Sequence, residues 1–170
     1  MQEEFWDLFD ETRRPVGKTH RRGDRIPVGL YHLVVHAWIA APSGKLLFSR
    51  RQAGRTDAGK WERTGGSALA GETSLEAAMR ETHEELGISL SGARIFFFGS
   101  RKREQYHDFY DSWVFLLPEE RVPSPDPVEV AEAAWMSADE LDALAKDGRI
   151  VASSLYYRDI LDFIARSRTE

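Results

Sequence analysis

Apolar residues recur along this chain in two periods. A β-rich run, Tyr31-His32-Leu33-Val34-Val35-His36-Ala37-Trp38-Ile39-Ala40, precedes Pro42-Ser43-Gly44-Lys45 and then Leu46-Leu47-Phe48-Ser49-Arg50. This pattern predicts two strands joined as a hairpin. Further strands are expected at 93–98 and 109–117. From Thr73 to Leu86 the period becomes helical, with Leu75, Ala78, Met79, Thr82 and Leu86 marking a buried face. Thr73 or Ser74 suits the start of this helix and Gly87 its stop. Two more helices are expected, one from Ser137 or Ala138 to Ala145 and one from Ser153 to Ala165.

The flanks are more irregular. Phe5 to Phe9 is a short apolar patch, followed by a turn-like Asp10 to Pro15, then Val16, Thr19 and the basic run His20-Arg21-Arg22-Gly23-Asp24. It reads as a small hairpin or lip, either covering an edge or carrying cations toward a pocket. Pro118 to Pro127 reads as a surface loop. The interleaved elements predict one mixed α/β domain over 30–165, with 1–29 part of the same unit and 166–170 a tail.

Composition narrows the chemistry. The 170 residues include no cysteine, which removes disulfides, zinc–thiolate sites and a cysteine nucleophile. The 23 Lys plus Arg against 28 Asp plus Glu leave a formal charge of -5, which argues against a broad grip on duplex nucleic acid. No run is apolar enough to cross a membrane, and the acidic start Met1-Gln2-Glu3-Glu4 lacks the basic-then-apolar order of a secretion signal. A cytoplasmic protein without a membrane partner is the resulting expectation.

Glu81, Glu84 and Glu85 lie three and four positions apart from Glu81, which gathers three carboxylates within one helical neighbourhood. Taken alone, that spacing reads most simply as a solvated acidic face paired with Arg80. Like charges at this spacing repel, so a divalent cation is the better physical reason to assemble them. Mg²⁺ favours carboxylate oxygens and keeps waters beside substrate phosphates. The preceding Gly65-Gly66 lets backbone approach closely, so its carbonyls can complete such a site.

Gly66, five residues, Glu72, seven residues, Arg80-Glu81-Thr82-His83-Glu84-Glu85-Leu86-Gly87-Ile88 resembles the full signature of the Nudix hydrolase family. Thr82 stands where the family usually has an aliphatic residue, and its methyl group can pack in that place. The wider resemblance covers about residues 30 to 165. The Trp6-Asp7-Leu8-Phe9-Asp10 element is similar to a branch related to isopentenyl-diphosphate isomerases.

The resemblance implies a mixed β-sheet sandwiched between helices, with the signature as a loop–helix–loop. It implies Glu81, Glu84 and Glu85 as metal ligands, with the Gly66 carbonyl beside them and Mg²⁺ exchangeable with Mn²⁺. Glu72, Arg80 and Gly87 take structural roles in the motif. A later acidic group is also implied. Glu129, in Val128-Glu129-Val130 ahead of Ala134-Trp135-Met136, is the first candidate, as ligand or, with Glu84 as the alternative, as general base, while Glu85 is the catalytic residue expected to bridge metal. Glu119, Glu120, Asp126 and Glu132 are the runners-up.

On the substrate side, Arg50 and Arg51 end a strand where cations reach a diphosphate, and Trp61 either stacks on a leaving group or anchors packing. Arg101 to Tyr110 reads either as a charged turn or as a cationic and aromatic mouth. The expected function is metal-dependent hydrolysis of a diphosphate linkage in a nucleoside diphosphate joined to another group. The alternative is an inactive nucleotide- or effector-binding module, whose mark would be loss of the glutamates that this motif retains. His32 falls where the isomerases place a metal-binding histidine. The resembling isomerases, however, use a cysteine that this chain lacks, and a histidine where it reads Gly65-Gly66-Ser67. A homodimer through Phe5, Trp6 and Phe9 is expected, unless these residues cap the monomer's own sheet.

Overall fold

The computed structural model describes residues 3–168, so Met1, Gln2, Thr169 and Glu170 lie outside the described residues. Its centre is strand β3 (His32–Ala40), which runs parallel to β8 (Asp108–Leu116). The sheet continues as β5 (Trp61–Glu62), β4 (Leu46–Arg51), β3, β8 and β7 (Arg94–Arg103). Strand β6 (Thr64–Ser67) pairs with β3, and β9 (Val130–Met136) pairs with β4, both antiparallel.

Alternation along β3 explains how both faces are filled. Leu33, Val35, Ala37 and Ile39 join Ala77, Ala78 and Leu86 of helix α1 (Ser74–Leu86) in one core. Trp38 and Ala40 join a second core with Leu141 of α2 (Ala138–Lys146) and Ile160 and Ile164 of α3 (Tyr157–Ser167). The result is the expected mixed sheet between helical layers. Among the described residues no helix is long and apolar enough to cross a membrane.

The termini of α1 follow its local chemistry. Thr73 and Glu76 close a reciprocal capping box, and Gly87 takes the left-handed conformation at φ 58°. A side chain at Gly87 would also collide with the Ser124 carbonyl. Met79 is exposed and Ala77 takes its expected place in the core. Strand β7 runs past the expected end at residue 98 to Arg103, because its basic half pairs with β8 beyond a bulge between Phe97 and Gly99. Helix α3 starts later than expected, after a 3₁₀ turn at Ala152–Ser154, and continues past Ala165 to Ser167.

Residues before the sheet form the hairpin β1 (Phe5–Phe9) and β2 (Pro15–Arg21). It is tied to the signature loop by Ala70 N–H donating to the Phe5 carbonyl at 2.8 Å and Gly71 N–H donating to Asp7 at 2.8 Å. Trp6 is buried and stacks on His32 at 4.1 Å, while Phe9 packs against the core. Of the three aromatic residues, only Phe5 stays exposed.

Candidate active site

The edge strand β6 places one residue after another on opposite sides of the sheet. Thr64 and Gly66 face α1, and Gly65 and Ser67 face α3, in register with His36 and Val34. On the α1 side the Thr64 hydroxyl donates to the Glu85 carboxylate. A Cβ on Gly66 would collide with the Glu81 carboxylate, so this glycine is what allows that acid to lie against the backbone. Both acids border a cleft of about 510 Å³, with Glu62, Glu84, Asp126, Glu129, Arg51 and Arg55 around it.

Among the described cleft acids, Glu85 and Asp126 have no cation paired to them. Burial raises the Glu85 pKa to about 8, against the Thr64 hydrogen bond, and the charges of Glu81, Glu62 and Glu129 raise it further. Burial also raises Glu81, opposed by Arg80. Arg80 holds the motif together. Its Nε donates to Glu72 at 2.7 Å, its Nη2 to the Ser67 carbonyl at 3.1 Å, and its Nη1 to Glu81 and Glu84 at 3.0 and 2.9 Å. Burial works against the Arg80 charge, but the carboxylates outweigh it and raise its pKa. Glu72 also accepts from Leu69 N–H at 2.8 Å, which anchors the signature loop.

The late loop reaches the same cleft. Ser124 N–H and Asp126 N–H donate to the Leu86 and Glu85 carbonyls at the end of α1, at 2.8 and 2.9 Å. This docks 124–126 on the helix and leaves Glu129 on the cleft wall, ion-paired to Arg55 at 3.0 Å. Asp126 lines the cleft too. The other runners-up are turned elsewhere: Glu119 to Arg121, Glu120 to Ser43 and Glu132 to Arg50.

Arg50 and Arg51 separate as strand neighbours must. Arg51 lines the cleft and pairs with Glu62 at 2.6 Å. Arg50 points to the other side, pairs with Glu132 at 3.0 Å and lies over the Trp61 ring. Trp61 is itself buried in the second core. Neither Arg50 nor Trp61 touches the cleft, so their expected substrate contacts are corrected to packing roles. Sequence reasoning passed over Glu62 and Arg55 as cleft residues. The period-two spacing of Glu62, Thr64 and Gly66 was a usable signal for the first, whereas Arg55 sits in an irregular loop that gave none. Arg22 and Glu4 of the hairpin also line the cleft, ion-paired at 2.6 Å.

Among the described residues no three acids or histidines converge on one point, because Arg80 and Arg55 draw Glu81, Glu84 and Glu129 aside. The donor set nonetheless fits a divalent cation. Seven carboxylates and four arginines line the cleft, and Glu85, which with Asp126 is left without an arginine, is pushed toward the neutral form, to a pKa of about 8. His32 and His36 belong elsewhere. Burial lowers His32 to about 4 and His36 well below its ordinary value, so both are neutral, His36 with its Nδ1 2.6 Å from the Tyr156 hydroxyl.

A family model described as the NUDIX domain matches residues 30–157. A Listeria monocytogenes protein described as an uncharacterized Nudix hydrolase is 36% identical over 154 residues, covering 87% of this chain and 88% of its own length. An isopentenyl-diphosphate Delta-isomerase of Streptomyces griseus is 31% identical over 144 residues, covering 79% of this chain and 72% of its own. A crystal structure from Deinococcus radiodurans matches with a TM-score of 0.73 at 21% identity, over 94% of this chain and 98% of that one, a likeness of fold.

Proposed function

The chain belongs to the Nudix family, and from that premise we propose that it hydrolyses a diphosphate linkage with a divalent cation, in a nucleoside diphosphate joined to a second group. The observation that carries this reading is Glu85, a half-buried carboxylate on the cleft wall that faces three other acids with no cation of its own. Glu81, Glu84 and Glu85, with the Gly66 carbonyl and Glu129, would hold the metal. When bound, Mg²⁺ or Mn²⁺ neutralises phosphate charge and makes a water more acidic.

The protein's own groups do the rest. Arg51 and Arg55 stand on the wall opposite α1, where their guanidinium forks suit phosphate oxygens. Each is held by one carboxylate, Arg51 by Glu62 and Arg55 by Glu129, so an incoming diphosphate exchanges an existing partner for a new one. Glu129, whose side chain is 40% exposed, accepts the water proton, with Glu84 the other candidate. The isomerase reading lacks its acid–base set, since the chain has no cysteine and reads Gly65-Gly66-Ser67 in the turn.

A panel of nucleoside diphosphate conjugates, sugar diphosphates and isopentenyl diphosphate, assayed with Mg²⁺, Mn²⁺ and a chelator, tests the reading. Metal-dependent cleavage of a nucleoside diphosphate conjugate is expected. Tight nucleotide binding without turnover would favour an effector-binding module, and double-bond migration without hydrolysis would favour an isomerase. Either result overturns the proposal.

A further inference from the structure

A second cavity, of about 360 Å³, lies on the α3 face of the sheet, lined by Phe98, Gly99, Arg101, Tyr110, Tyr156 and Asp159 among others. Strand register connects it to the carboxylate cleft. Ser67, Val34, Tyr110 and Arg101 oppose one another across four neighbouring strands, and opposed residues point to the same face. Ser67 borders the cleft and Tyr110 borders the cavity. They are two strand spacings apart, roughly 10 Å, and from Ser67 a ligand would turn around the free edge of β6 to reach the acids on the α1 face. Val34, the residue between them, is only partly buried.

The bulge in β7 builds the cavity. It sets Phe98 and Gly99 together against Ser112, so that Phe98 packs on the α3 side with Tyr156 and Phe163. Above Gly99 the space is open, since an added Cβ would meet nothing within 4 Å. The surrounding rings are held in place. Tyr110 stacks on His36 at 4.4 Å and carries the Arg103 guanidinium over its ring at 5.0 Å. The Tyr156 hydroxyl accepts from Trp38 Nε1 at 3.2 Å and lies 2.7 Å from the Ser112 hydroxyl.

Two charges stand at the rim, Arg101 and Asp159, and neither side chain has a hydrogen bond or ion pair among the described residues. A hydrocarbon tail would leave both without a partner, and a sugar offers the rings only a narrow C–H face. A planar heterocycle with donors and acceptors on its edge satisfies both features. We propose that this cavity binds the nucleobase of the substrate, with the sugar crossing Val34 and the diphosphate lying in the carboxylate cleft. The placement rests on the hydrolase reading for the diphosphate and on the cavity's own lining for the base.

Gly99→Leu tests it, because Gly99 has an ordinary φ and the new side chain would enter the open space rather than strain the strand. Metal-free protein is titrated with AMP, UMP and inorganic diphosphate and followed by amide NMR. At least one nucleoside monophosphate should shift the signals of 98–101 and 110–112. Gly99→Leu should weaken that binding at least tenfold and raise KM for the cleaved conjugate, while inorganic diphosphate binds as before. Asp159→Asn, an exposed change, should weaken the nucleoside several-fold and provides the test if Gly99→Leu does not fold. Unaltered nucleoside binding in a folded Gly99→Leu protein, or shifts confined to the cleft, would overturn the assignment. Failure of the hydrolase reading would look different: no diphosphate cleaved by the wild type, with nucleoside still bound at 98–101.

Discussion

Two carboxylates lie on the α1 side of the sheet, Asp111 buried and Glu85 half-buried at the cleft, and their charges are met differently. Asp111, whose side chain is 2% exposed, receives both nitrogens of the Arg13 fork at 2.6 and 2.5 Å. Burial alone would raise its pKa, but the hydrogen bonds of Arg13, Ser74 and Ser100 lower it. Glu85 has a threonine hydroxyl and no cation, and its pKa rises to about 8. A buried acid with its counter-charge built in is part of the scaffold, and here it latches the N-terminal hairpin to β8. A desolvated acid without one is where the proposed cation would supply the missing charge.

Changing either member separates the two roles. Glu85→Gln should cut turnover on the order of a thousandfold, the upper end for removing a group that stabilises transition-state charge, and leave the fold intact. Single-turnover rates and far-UV circular dichroism check both halves. Arg13→Gln should do the reverse. It leaves Asp111 buried and unpaired, and costs about 3 kcal/mol, the low end for such a loss because 34% of the Arg13 side chain is exposed. Urea denaturation reads that cost, and unchanged stability would mean that the latch carries no load.

Gly66→Ala sharpens the contrast from the backbone side. The new methyl would push the Glu81 carboxylate from its place, so metal affinity should fall roughly tenfold to a hundredfold with little change in Tm. The smallest effects are expected on the strand that ends at the cleft. Arg51→Gln should raise KM roughly tenfold, the worth of one charge-assisted hydrogen bond, whereas Arg50→Gln should leave KM as it was. Equal effects from both arginines would contradict the division of β4 into a cleft face and a packing face.

The acidic helix was the most legible part of the chain, because its glutamates, its cap and its glycines lie within one continuous stretch and depend on local rules. Thr73, Gly87 and the Glu72–Arg80 anchor follow from that stretch alone. The Arg13–Asp111 latch could not be read, since the partners are 98 positions apart and meet because the hairpin docks at Tyr31 and β3 pairs with β8. Arg50 and Trp61 show a different failure. Strand alternation already implied that adjacent arginines face opposite ways, but where the cleft lay depended on β6 and β9 flanking β3 and β4. The bulge at Phe97 to Gly99, which shapes the second cavity, left only a glycine in an aromatic run as its trace.

The most direct test of the Glu85 assignment is the pH dependence of stability in metal-free protein, measured for wild type and Glu85→Gln. A carboxyl raised from 4.5 to about 8 on folding favours the folded state most below 4.5, and that contribution is lost as pH rises toward 8. His32 and His36 titrate in both proteins, so the difference between the two curves isolates Glu85. Wild type should lose stability relative to Glu85→Gln across this window, and Mg²⁺ added near pH 8 should raise the Tm of wild type alone. Parallel curves with equal Mg²⁺ responses would contradict the claim that Glu85 is an acid awaiting a cation.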